Sequence, residues 1–184
     1  CQRFDVDDLA QRAAMLCHLE EHGYAVVANA CPPQEVAATR ALFWDWHEAQ
    51  QRSTVRRDDP ATWTADRGWR PNERNGIIGN IGHSRFLWKV RTLPRVRTTF
   101  AAIWNTQDLI TSFDGGNAFR PWRRQPLWLT NGGWWHVDQN AKSFPRIDRM
   151  GKSGKLCVQG LVSLYDADAR TGGLCVIPGS HRRH

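Results

Sequence analysis

The 184-residue sequence contains no apolar run approaching the roughly 18–20 residues that a membrane-crossing helix needs. That excludes a helical membrane span from it. It opens Cys1-Gln2-Arg3, with neither an initiator methionine nor the charged-then-apolar order of a secretory signal. The expectation is a trimmed or partial intracellular chain, cytoplasmic rather than secreted. Cysteine is sparse, with five residues at 1, 17, 31, 157 and 175 and no Cys-x-x-Cys pair. An odd number without paired spacing argues against a disulfide framework or a zinc knuckle. Cys157 and Cys175 then read as small buried apolar side chains. Internal repeats and low-complexity tracts are absent too.

What is there is ordinary in bulk and uneven in charge. Hydrophobic residues make up 41% and charged residues 23%, as in a soluble globular protein, and the length suits a single domain with a real core. Twenty-five Lys and Arg against eighteen Asp and Glu leave a net charge of +7. Such an excess raises nucleic acid as a partner. The arginines are scattered, however, with Arg120/Arg123/Arg124 and Arg182/Arg183 the densest groups. A solvated basic surface is favoured over a nucleic-acid face, and anionic small molecules would also suit it.

Along the chain, Asp5 or Asp7 can cap a first helix whose apolar stripe is Leu9, Ala13, Leu16 and Leu19, with Gly23 at its end. A short buried strand over 24–28 follows. Pro32-Pro33 opens a second helix, with Val36, Leu42, Phe43, Trp46 and His47 on its fatty face. Residues 51–80 dissolve into charge, glycine and tryptophan, which predicts a long ordered loop, either a lid or a segment packed on the core by its tryptophans. A helix is expected from about Pro94 to Trp104, and strands over 108–114 and 126–130. Residues 140–155 read as a polar excursion. From Lys155 to Tyr165 the pattern alternates, placing Leu156, Val158, Gly160, Val162 and Leu164 on one face. Cys157, Gln159, Leu161, Ser163 and Tyr165 share the other, and a face mixing polar and apolar groups can line a pocket.

The stretch that carries chemistry is Asn131-Gly132-Gly133-Trp134-Trp135-His136-Val137-Asp138-Gln139. In an extended segment alternate side chains share a face, so His136 and Asp138 project together. An imidazole and a carboxylate from one strand supply two of the three donors of a 2-His-1-carboxylate site for Fe(II), which leaves coordination positions open. A surface strand that merely carries His and Asp is the plainer alternative. Trp134 and Trp135 are candidates for a dry wall beside the pair.

Downstream, Val158-Gln159-Gly160-Leu161-Val162-Ser163-Leu164-Tyr165 runs into Thr171-Gly172-Gly173-Leu174-Cys175-Val176-Ile177-Pro178-Gly179-Ser180-His181. With His136-x-Asp138 ahead, and His18-Leu19-Glu20-Glu21-His22-Gly23-Tyr24-Ala25-Val26-Val27 near the start, the chain resembles the phytanoyl-CoA dioxygenase-like family of Fe(II)- and 2-oxoglutarate-dependent oxygenases. The resemblance implies a mainly β (α+β) fold, a cupin-like double-stranded β-helix, or jelly roll, with N-terminal helices. It implies a single domain over 1–184, with a helical support region 1–107 that includes the lid-like loop 51–80, and the first part of the roll over 108–184. It implies Fe(II) on His136 and Asp138, 2-oxoglutarate as cosubstrate, and O2 and a small-molecule or lipid-like substrate as partners. In the family a tryptophan at the position of Leu161 helps cover 2-oxoglutarate, so Leu161, with Gln159, falls at the cosubstrate; the leucine is a departure. Lys89, or Arg91, takes the place of an upstream basic residue that reaches the oxo-acid carboxylate.

The family's third iron ligand is a second histidine beyond the Pro-Gly-Ser-His segment, followed some ten residues on by an arginine for the distal carboxylate. Neither is visible before His184, so the sequence reads as a fragment lacking its C-terminal part, and possession of full activity by the chain alone is not expected. His181 is the weaker candidate for that ligand. His47 and His83 read as helix-end or core histidines satisfied by backbone carbonyls, and His18, His22 and His184 as surface residues. Two rivals stand beside the oxygenase: a non-catalytic jelly-roll binding module with a vestigial His-x-Asp, and a nucleic-acid-binding domain using Arg120, Arg123 and Arg124 with Trp122 and Trp128 as a stacking platform.

Overall fold

The computed structural model describes residues 1–130, 132, 135–137, 157–168 and 170–183. Its regular core is helical. Helix α1 spans Leu9–His22, α2 Pro33–Glu48, α3 Arg85–Arg91 and α4 Pro94–Trp104. Each boundary has a local cause. The Asp8 carboxylate accepts from the Gln11 N–H at 2.9 Å and so starts α1. Asp5 and Asp7, expected as caps, instead hold the Arg95 guanidinium, which also donates to the Ala28 carbonyl at 2.9 Å. Gly23, at φ 78°, ends α1 in the left-handed conformation that favours glycine. Proline occupies the start of α2 and of α4, where no N–H partner is missed. Ser84 caps α3 by accepting from Leu87 N–H at 3.1 Å, a short helix that the sequence periodicity did not reveal.

Two apolar clusters form. Phe4, Val6, Met15 and Ile103 make the first, joining the N-terminal segment to α1 and α4. The stripe on α1 holds in part: Leu16 and Leu19 pack on this cluster as expected, but Leu9 and Ala13 are exposed and Met15 is the fully buried residue. Ile78, Ile81 and Leu87 make the second, with Phe43, Trp46 and Phe86 packed on it. Helix α2 thus lies on α3 rather than on a sheet.

Regular β-structure among the described residues is one two-stranded antiparallel ladder, β1 (Ile77–Ile78) with β2 (Gly116–Asn117), beside isolated bridges at Phe4–Val27 and Arg56–Asp59. The mainly β expectation is therefore not met by these residues. Residues 24–28 contribute a single bridge, 108–114 no ladder, and Pro126–Trp128 a turn of 3-10 helix. A helix closes its hydrogen bonds within itself, whereas a strand needs a neighbour.

The loop over 51–80 is packed by its tryptophans. Trp63 and Trp69 stack at 5.7 Å and 17°, Trp44 lies 5.0 Å from Trp63, and Trp128 closes the column 6.3 Å from Trp63. His47 is fully buried against Trp69, with centroids 4.9 Å apart. Its Nε2 accepts the Arg70 backbone N–H at 3.2 Å, so the neutral ring carries its proton on Nδ1. The expected carbonyl partner is thus replaced by a backbone donor, and among the described residues Nδ1 has no partner. Arg57 fastens the loop to α2 through Asp45 at 2.5 Å and Glu48 at 2.7 Å.

Candidate active site

The segment carrying the proposed metal donors is described only in part. His136 is exposed, on a stretch without regular structure, and beside it Trp135 is 62% exposed, which is no dry wall in this arrangement. Asp138, Trp134 and the excursion over 140–155 lie outside the described residues. Among the described residues no group of three His, Cys, Asp or Glu side chains is placed to hold a metal ion. An imidazole suits one corner of an Fe(II) site. Those residues do not assemble the rest of it.

The alternation over 157–165 survives except at Gly160, which is exposed. Val158, Val162 and Leu164 are half-buried, and Cys157, Gln159, Leu161, Ser163 and Tyr165 are exposed. Val158 packs on the first apolar cluster. Gly160 lies against Phe100 so closely that an added Cβ would come within 3.1 Å of the ring edge. The inward face of this segment is thereby seated on α4, and Gln159 and Leu161 look away from it together. Cys157 and Cys175 are both exposed, contrary to expectation: Cys157 falls on the outward face of its segment, and the whole stretch 171–178 is exposed. The buried cysteine is Cys31, whose Sγ lies 3.8 Å from the Thr39 hydroxyl.

A residue the sequence did not single out fixes the end of this segment. Arg40 on α2 donates through Nε to the Leu164 carbonyl at 2.6 Å and stacks 3.7 Å above the Tyr165 ring. The two partners are 124 residues apart in sequence, so no local pattern could have announced them. Charge-assisted donation to a carbonyl is stronger than a neutral hydrogen bond. Arg40 is therefore a positioning residue for the face that bears Gln159 and Leu161.

The basic candidates are committed elsewhere. Lys89 on α3 forms an ion pair with Glu35 on α2. Arg91 donates to the Gly82 carbonyl at 2.6 Å and the Asp114 carbonyl at 2.9 Å. Arg120 is only 7% exposed; it donates to the Trp63 carbonyl at 2.8 Å and faces Trp128 and Trp69. Burial lowers its pKa and Glu73 opposes that effect, but a guanidinium stays charged regardless. Arg120 and Trp128 thus belong to the packed column, which removes two of the five residues proposed for a nucleic-acid platform.

The glycine-rich turn is organised by Asp168, whose Oδ1 accepts the Arg170 N–H at 2.7 Å and the Thr171 N–H at 3.1 Å. The Arg170 guanidinium holds that carboxyl down to about 2. The Pro178-Gly179-Ser180-His181 segment then docks on the end of α1. Gly179 N–H donates to the His22 carbonyl at 2.8 Å, and His181 Nε2 lies 3.0 Å from the Glu20 carbonyl. His181 therefore serves the helix terminus, where a side chain at Gly23 would collide with its ring.

With this geometry in view, residues 19–184 match the phytanoyl-CoA dioxygenase (PhyH) family. The chain is 27% identical over 158 residues to the Ava biosynthesis cluster protein O of Aspergillus versicolor, covering 86% of the chain and 47% of that protein. It is 26% identical over 189 residues to a putative phytanoyl-CoA dioxygenase of Dictyostelium discoideum, covering 88% of the chain and 53% of that protein. The chain thus spans about half the length of these curated relatives. No solved structure gives a significant match.

Proposed function

The chain belongs to the phytanoyl-CoA dioxygenase family, and from that premise we propose that its protein is an Fe(II)- and 2-oxoglutarate-dependent dioxygenase that hydroxylates an unactivated C–H bond of a small-molecule or lipid-like substrate. The observation that carries this reading is the family match itself. It runs from residue 19 to residue 184 and so includes both His136-Val137-Asp138 and Pro178-Gly179-Ser180-His181. Membership supports a dioxygenase-type enzyme with a cupin-like jelly roll; the metal, the cosubstrate and the reaction are our reading.

In this reading His136 and Asp138 are two of the iron ligands, and iron with 2-oxoglutarate supplies the oxidising chemistry when bound. The chain's own residues supply binding and orientation. Gln159 offers an amide to the oxo acid, Leu161 an apolar wall, and Arg40 and Phe100 hold the segment that carries them. Lys89 already pairs with Glu35, so an oxo-acid carboxylate would share or displace that partner. The general excess of positive charge favours an anionic ligand.

The test is turnover of 2-oxoglutarate to succinate by the complete protein with added Fe(II). His136→Ala and Asp138→Ala are each expected to lower it by at least a hundredfold while leaving the circular dichroism spectrum intact. Turnover that continues unchanged in both variants contradicts the ligand assignment. Absence of any turnover in the unaltered protein favours the non-catalytic binding module.

A further inference from the structure

A second constellation lies far from His136 in sequence, on the last two turns of α1. His18 and His22 are four residues apart, so they stand one above the other on one helix face. Their ring centroids are 4.3 Å apart, with the planes tilted at 56°. The rings are boxed by aromatic neighbours. Phe4, itself buried, lies 5.3 Å from His18, and Tyr24 meets His18 edge-on at 5.2 Å and His22 at 6.4 Å. Tyr24 can do this because Gly23 turns the chain back in the left-handed conformation. The box restricts both imidazoles, so little side-chain freedom remains to be lost on binding an ion.

The pair is also reachable and lies beside negative charge. The His22 side chain is 37% exposed, and Glu21 Oε2 lies 3.8 Å from His22 Nε2. The Leu19, Glu20 and His22 carbonyls at this helix end are occupied by Gly23, His181 with Arg182, and Gly179. The backbone beneath the pair is therefore tied down on both sides. Two histidines at helical i, i+4 spacing are the donor arrangement that many zinc helices use.

We propose that His18 and His22 form a chelating site for a borderline divalent cation of the Zn2+, Ni2+ or Cu2+ class. Imidazole nitrogen selects that class over Mg2+ and Ca2+, which prefer oxygen donors. Among the described residues no third side chain completes a metal group. Water fills the remaining positions, and Glu21 supplies charge beside His22. The site is independent of the proposed oxygenase centre. A cation there would cross-link the two turns on which the Pro-Gly-Ser-His segment docks.

Zinc sulfate is the probe, titrated into the 184-residue chain while the imidazole nitrogens are followed by long-range 1H–15N correlation. His18→Asn and His22→Asn assign the resonances and, as exposed or half-buried changes on a capped helix, are each checked by circular dichroism. The expected result is that both rings shift together and saturate at one equivalent. Each single variant should weaken the binding of the remaining ring at least tenfold, whereas His136→Ala leaves it unchanged. Magnesium should shift neither ring. The proposal is overturned if zinc leaves both rings unmoved, or if one ring binds equally well without the other.

Discussion

The helical region up to Asn105 and the described segments between 157 and 183 are built on different terms. The first has two apolar clusters of its own, capped helices, and loops fastened by tryptophan stacking and by Arg57 and Arg95. The second is attached at a few points: Val158 on the first cluster, Gly160 on Phe100, Leu164 on Arg40, and Gly179 with His181 on the end of α1. Its apolar side chains largely face outward, with Leu161 at 57% and Leu174 at 72% exposure. A helix satisfies its own backbone and needs only one covered stripe, so the first region stands by itself. Strand-like segments need neighbours on their edges and a cover on their faces. Gln159 and Leu161, the residues expected at the cosubstrate, fall in the second region, on the side that its attachments leave open.

That contrast predicts a graded response to substitution. The largest effect belongs to the first region. Phe4→Ala removes a buried ring from the cluster joining three elements, and is expected to cost about 3–5 kcal/mol in chemical denaturation. A loss below about 1 kcal/mol would mean that this cluster does not hold the region. Arg40→Ala comes next, since it leaves the Leu164 carbonyl without its charged donor and uncovers Tyr165. About 1–3 kcal/mol is expected, with hydrogen exchange accelerating over 157–165 and unchanged in α4. Acceleration spread evenly over both regions would break the distinction.

The pH response is smaller and more specific. Burial, the main cause, pushes His47 below its ordinary 6.5, with Arg70 adding to the shift and Glu48 opposing it. The unfolded chain then takes up this proton first, so folded stability falls as pH drops through about 6.5 and levels off only below the depressed folded value. His47→Gln should flatten that part of the stability curve relative to the unaltered chain. A slope that is identical in both would show that His47 does not titrate differently on folding. At the bottom of the scale, Leu161→Ala should change stability by less than about 0.5 kcal/mol, because the side chain is largely in water.

Much of the first region could be read from local chemistry. Gly23 at the end of α1 and Pro32-Pro33 before α2 act through the backbone of their own turns, and both stand as expected. The alternation over 157–165 is equally local, and burial follows it at every position but Gly160, which is exposed. What escaped depended on distant partners. Asp8 rather than Asp5 or Asp7 caps α1 because Arg95, some ninety residues on, takes the other two carboxylates. His47 was expected to meet a carbonyl, but the fold brings it the Arg70 N–H and the Trp69 face. Lys89 was assigned to an oxo acid on the strength of resemblance, and Glu35 stands beside it. Around the candidate centre, strand periodicity put Gln159 and Leu161 on one face and both are exposed, their role came from resemblance alone, and Arg40 had no local signature at all.

The central claim is that His136 and Asp138 hold iron to which 2-oxoglutarate binds. Its most direct test is an anaerobic titration of the complete protein with Fe(II) and 2-oxoglutarate, followed by visible absorbance. The account predicts a metal-to-ligand charge-transfer band that appears only with both components and is lost in Asp138→Ala. A band of the same strength in that variant, or none in the unaltered protein, would contradict it.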